Sequence, residues 1–130
     1  MTGEDREYLF DQAQQLSELL NEECVELLGM LEKIEDRVTI SRRINKLEDD
    51  ADHVFHAFAD RLHEVESDIE KRDYIFKMAR HIEECVDMID ELSMTIVRYN
   101  TRAVNQGMKA SINAIAGCVK KEMHLLNIMR

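Results

Sequence analysis

The sequence predicts an all-α fold, an antiparallel bundle of about four long helices, and three observations carry that expectation. Proline is absent and glycine occurs only four times in 130 residues. Apolar residues recur at three- and four-residue steps along most of the chain, the spacing of one helical face. The breaks in that pattern are short, so no linker is expected and residues 1–130 read as one domain. Aromatics make up 5% of the chain, so the core must be built from Leu, Ile, Val, Met and Ala.

The first helix is expected from about Asp5 to Leu31, on the stripe Leu9, Ala13, Leu16, Leu20, Cys24, Leu27 and Leu31. A polar stretch, Glu32 to Val38, interrupts the pattern, and Thr39 or Ser41 can cap the second helix. The second stripe reads Ile44, Leu47, Ala51, Val54, Phe58, Leu62 and Val65. Ser67 and Asp68 are the next capping candidates, with Glu70 in the first turn, where an acid suits the helix dipole. The third helix has the most regular seam: Ile75, Met78, Ile82, Cys85, Ile89, Leu92, Ile96 and Tyr99. Such alternation of three- and four-residue steps belongs to near-parallel or antiparallel packing. Asn105-Gln106-Gly107 is read as a helix stop, with Gly107 free to adopt the left-handed conformation. The last stripe is Met108, Ile112, Ile115, Val119, Met123, Leu126 and Met129. Helices of this size would each span about 40–45 Å, and connections of a few residues make neighbours antiparallel.

Charge and apolar runs exclude several classes. The net charge is −10, which argues against nucleic-acid binding, a function that calls for a basic stripe. The charge is uneven. Residues 101–130 carry five Lys or Arg against one acid, whereas the first hundred carry 12 bases and 26 acids. A basic fourth helix laid on acidic partners, within the chain or across a homo-oligomer, is the simplest use of that split. No apolar run is long enough for a membrane span and the N-terminal residues are polar. Cys24, Cys85 and Cys118 lie far apart on or beside apolar stripes, which reads as buried reduced thiols and a cytoplasmic setting.

Acids paired four residues apart carry whatever chemistry the chain has. Ten such pairs occur, against about five expected by chance, although like charges at this spacing repel each other on a helix. Two pairs stand out by position. Glu48 and Asp52 flank the second stripe, with His56 continuing their ridge. Glu83 and Asp87 flank the third, with Glu91 one turn on. Both lie off the core positions, and carboxylates one turn apart on adjacent helices can hold a hard cation between them. A solvated acidic face is the plain alternative. Glu23 falls inside the first stripe, where a buried unpaired carboxylate would be costly. It is a metal ligand, or paired to a base, or turned outward by rotation of the helix, and the rotated case is preferred because Cys24 can take its place. No Glu-x-x-His step occurs, which disfavours a ferritin-like di-iron centre. No catalytic Ser/His/Asp arrangement or glycine-rich phosphate loop is present. The eight methionines read as packing filler.

Residues 44–90 resemble the PhoU-like phosphate-transport regulators, especially the short branch found with Pit-type phosphate permeases. The resemblance is carried by Ile44-Asn-Lys-Leu-Glu-Asp-Asp-Ala-Asp52-His, Arg61-Leu-His63, Lys71-Arg-Asp-Tyr-Ile75 and His81-Ile-Glu-Glu-Cys-Val-Asp-Met-Ile-Asp90. Ile69 stands where that family often has proline. The resemblance implies a bundle whose surface binds metal through Glu48, Asp52, Glu83 and Asp87. It implies a multinuclear iron cluster, with zinc, manganese or magnesium as alternatives. It further implies a non-catalytic regulator or accessory of inorganic phosphate transport, with a membrane phosphate transporter and inorganic phosphate as partners. A second repeat with its own acidic pair does not fit in this chain, so a homodimer is expected to supply the other half.

A second resemblance competes. Glu22-Glu23-Cys24-Val25-Glu26 is similar to the first acidic motif of MazG-like nucleotide pyrophosphohydrolases, and Asp49-Asp50-Ala51-Asp52 stands for their second without its usual Gly-Asp step. That resemblance implies a Mg²⁺-dependent enzyme. A metal-free helical interaction module is the third alternative.

Overall fold

The computed structural model describes the backbone of residues 1–99 and 106–129, with the side chains of these apart from 106, 122 and 125–129. Four helices follow one another: α1 (Gly3–Glu32), α2 (Arg37–Val65), α3 (Ile69–Tyr99) and α4 (Gln106–Met129), with no strand among the described residues. None of these helices is long and apolar enough to cross a membrane.

Local chemistry sets most of the boundaries. Thr2 opens α1 with a capping box: its Oγ1 accepts the Asp5 N–H at 3.1 Å, and the Asp5 carboxylate accepts the Thr2 N–H at 3.2 Å. Asp68 opens α3, its Oδ1 accepting the N–H groups of Glu70 at 3.1 Å and Lys71 at 3.2 Å, as the sequence predicts. The start of α2 differs from expectation. The polar stretch is bridged by one 3₁₀ turn (Ile34–Asp36), and α2 begins at Arg37 without a side-chain cap, so neither Thr39 nor Ser41 caps it. The physical reason is Arg37 itself. It is buried, and its Nε donates to the Met30 carbonyl at 3.1 Å, satisfying an orphan acceptor at the end of α1. A helix anchored there starts earlier than a capping serine would place it.

The core is a three-helix unit. α1 packs on both α2 and α3, and α2 packs on α3. α4 lies along α1, touches α3 over a short stretch and does not reach α2 among the described residues. That position gives α1 neighbours on three sides, which explains why it buries adjacent residues such as Glu23 and Cys24, or Met30 and Leu31. Lys109 on α4 approaches Glu32 on α1 at 3.5 Å, a first trace of the expected basic-on-acidic contact.

The seam of α3 is rotated relative to expectation. Ile82, Ile89 and Ile96 are buried as predicted, but their companions are Ala79, Val86 and Ser93. Ile75, Met78, Cys85 and Leu92 are only half-buried, and Tyr99 is exposed. Ser93 turns to α2, its Oγ within 3.3 Å of Ser41 Oγ, which sets the small residues of α3 rather than the larger apolar ones on the inner face. Gly107 is not a stop: it lies within α4, and Asn105 lies outside the described residues. The placement of Leu126 and Met129 in the core also lies outside the described side chains.

Candidate metal centre

The site forms where α2 and α3 run side by side. Glu48 lies on α2 between Ile44 and Ala51, both fully buried. Glu83 and Asp87 lie on α3, each next to a buried apolar residue, Ile82 and Val86. Positions beside the core stripe are held at the edge of the interhelical groove, and there Glu48 and Glu83 are half-buried while Asp87 is exposed. One carboxylate oxygen from each of the three lies within 4.8 Å of the others. Among the described residues no Lys or Arg pairs with any of them.

Of the four acids expected as ligands, the structure thus gathers Glu48, Glu83 and Asp87. Asp52 stands beside this group. Its Oδ1 faces His56 Nε2 at 3.3 Å, and it acts on Glu83 through its charge. The groove continues past Glu48 and Asp87 along Asp90, Glu91, Met94, Thr95 and Arg98. Asp90 is nearly buried, and Asn45 on α2 donates to both of its oxygens at 3.3 and 3.4 Å.

Electrostatics record the crowding. Burial, a hydrogen bond with Asp49 and the charge of Asp87 push Glu48 up to about 7. Burial and Asp87 push Glu83 up to about 7 as well, with Asp52 adding to the shift and His56 opposing it. Burial also raises Asp90, against the stabilising hydrogen bond from Asn45. Each group resists ionisation because burial disfavours its charge and neighbouring acids add to that, and a cation in their midst would oppose both.

Glu23 corrects the sequence expectation most sharply. Helix α1 is not rotated to expose it: Glu23 is wholly buried between Leu20 and Leu27, and Cys24 is buried beside it. Neither carboxylate oxygen has a hydrogen-bond partner. Its carboxyl is pushed up to about 9, first by burial and then by the charges of Asp90, Glu48 and Asp87. Glu23 and Asp90 therefore belong to the same acidic neighbourhood. Their signal in the sequence was an acid set within an apolar stripe, Leu20-x-x-Glu23-x-x-x-Leu27 and Ile89-Asp90.

The acids of the rival motif lie in a separate groove between α1 and α2, where Glu22, Glu26 and Asp50 stand with Arg43 and Lys46. Glu22 is exposed, Glu23 turns inward, and Glu26 binds Arg43 through two nitrogens at 2.9 and 3.0 Å. Asp50 faces Lys46 at 3.7 Å. Compared with known proteins, the chain matches no family model, no curated protein and no solved structure.

An all-carboxylate set suits a hard cation such as Mg²⁺, Mn²⁺ or Fe²⁺. The residues present fit such an ion on two counts. Three acids crowd together with no Lys or Arg paired to them among the described residues, and a fourth, Glu23, is buried in the bundle with both oxygens unsatisfied.

Proposed function

We propose that this chain is a non-catalytic metal-binding protein that serves inorganic phosphate transport as a regulator or accessory. The observation that carries the metal reading is the meeting of Glu48, Glu83 and Asp87 within 4.8 Å on two adjacent helices. Glu48 from α2, with Glu83 and Asp87 from α3, would hold the ion, and Asp52 would neighbour it. The ion would supply positive charge to a strongly acidic surface, which is what binding a phosphate group there requires. The transport role, a multinuclear iron cluster and a membrane transporter as partner rest on the resemblance of residues 44–90 to PhoU-like regulators, and a cytoplasmic setting rests on the three widely spaced free thiols. The non-catalytic reading is supported by the candidate ligands, which are carboxylates with one histidine nearby, a set suited to holding an ion.

Elemental analysis of protein purified without a chelator or a metal-affinity tag tests the first half, with bound transition metal or Mg²⁺ as the expected result. Equilibrium binding of inorganic phosphate to metal-loaded and metal-free protein tests the second, and binding is expected only in the loaded form. Release of pyrophosphate from nucleoside triphosphates with Mg²⁺, lost in Glu26→Gln, would replace this reading by the pyrophosphohydrolase one.

A further inference from the structure

The bundle keeps an apolar recess at the end where α1 and α3 begin and α2 finishes. Its volume, mouth included, is about 600 Å³, within the range of about 300–1,000 Å³ usual for small-molecule sites. Leu9 and Ala13 of α1, Phe58 of α2 and Ala79 of α3 form its walls, and all four are buried. Phe10 and Ile75 line it as well and are only half-buried, so apolar surface stays uncovered there. Water finds few hydrogen bonds in such a place. Among the described residues the charged side chains that line it are Arg6 and Lys71, both basic, in a chain of net charge −10. Both are exposed, so their charges stand where the recess meets solvent. Lys71 Nζ lies 3.7 Å from Glu66, whereas Arg6 has no ion pair among the described residues. The N-terminal ends of α1 and α3 add partial positive charge at this end, against one C-terminal end from α2.

We propose that this recess binds a small organic carboxylate, its apolar part lodged against Leu9, Phe58 and Ala79 and its charge drawn to Arg6, with Lys71 as the second cation. The shape favours a small molecule over a docked helix. Along α1 the recess runs from Arg6 to Ala13, about 10 Å, and three helices enclose it. Two interactions act on different parts of the ligand: burial rewards the length of its chain, and the guanidinium rewards its negative charge. The recess shares no residue with Glu48, Glu83 and Asp87, so binding there requires no metal ion.

Calorimetry in a chelating buffer at neutral pH, with hexanoate, octanoate and uncharged hexanol as probes, tests this. Hexanoate should bind, and hexanol should bind about tenfold or more weakly. Octanoate should be tighter, by about fourfold for each added methylene that the recess can bury. Arg6→Ala should cost hexanoate about tenfold or more and leave hexanol nearly unchanged. Ala79→Leu fills the recess and should abolish binding of all three. Should that variant fail to fold, amide chemical shifts of the wild type fix the place. Hexanoate should move signals of residues 6–13 and 71–79, and shifts confined to other residues would overturn the site. Absence of hexanoate binding overturns the proposal. Equal binding of hexanol does so too, since it would leave a merely apolar hollow. Binding to vesicles rich in anionic lipid, without binding of hexanoate, would assign this end of the bundle to a membrane surface and overturn it as well.

Discussion

Burial holds the Glu23 carboxyl at about 9 against an ordinary value of 4.5, and Glu48 and Glu83 are raised to about 7. All three bind protons more tightly in the folded chain than in the unfolded one. Their contribution to stability is therefore present below about pH 4.5 and is lost as pH rises toward the folded values. Metal-free protein is expected to melt several degrees lower at pH 8.5 than at pH 5.5, with a shallower pH slope in Glu23→Gln. Circular dichroism melts in a chelating buffer check this, and a melting temperature that rises across that window would contradict it. Asp87→Ala should fold normally and lose metal affinity at least tenfold, because the side chain is exposed and contributes charge rather than packing. Asp52→Ala should cost less, since Asp52 faces His56 and reaches Glu83 only by its field. The thiols divide in a way that the sequence did not show. Cys24 is buried and pushed up to about 11 by burial, whereas Cys118, expected to be buried, is exposed. Alkylation of the native protein should label Cys118 first and leave Cys24 untouched until unfolding.

Elements begin and end where single side chains satisfy the backbone. Asp68 accepts two N–H groups at the start of α3, so Asp68→Ala should destabilise the fold by about 1 kcal/mol. Arg37 reaches back to the Met30 carbonyl from a buried position, and its truncation to Ala should cost about 1–3 kcal/mol by leaving that acceptor unsatisfied. Chemical denaturation of the two variants would rank them, with Arg37→Ala the more damaging. The Asp68 cap was legible in the sequence because a capping residue acts on its own next turn. Arg37 was not, because its partner lies seven residues back in another helix. The seam of α3 was legible in its period and misread in its phase. Periodicity places Ile82, Ile89 and Ile96 on one face, but whether Cys85 or Val86 completes that face depends on where α1 and α2 both sit against α3.

At the scale of the whole molecule, α4 is the element with the fewest neighbours. It rests on α1, touches α3 briefly and leaves α2 alone among the described residues. The charge split sets a basic last segment against an acidic remainder, and only the Lys109 to Glu32 approach joins α4 to that remainder by an ion pair among the described residues. A homodimer in which α4 meets an acidic face of a second copy would use the charge left over. Multi-angle light scattering at micromolar concentration should report a mass above the 15.2 kDa of one chain. Added salt should weaken the association if charge drives it. A particle of 15.2 kDa at all concentrations would remove the dimer from consideration.

The sequence by itself determined that the chain is helical, how many helices there are, and which acids stand at the edge of the core stripes. These follow from short-range rules: propensity, a period near 3.6, and caps acting within a turn. Tertiary structure alone decided which of those acids meet. Glu48, Glu83 and Asp87 come together because α2 and α3 pack at one register, and Asp52 stands aside by one turn of helix. It also decided the state of Glu23. Seen along α1 alone, an acid beside a cysteine in an apolar stripe invites a small rotation that frees the acid and buries the thiol. With α2, α3 and α4 all seated on α1, no such rotation is open, because α1 has neighbours on three sides and both residues are enclosed.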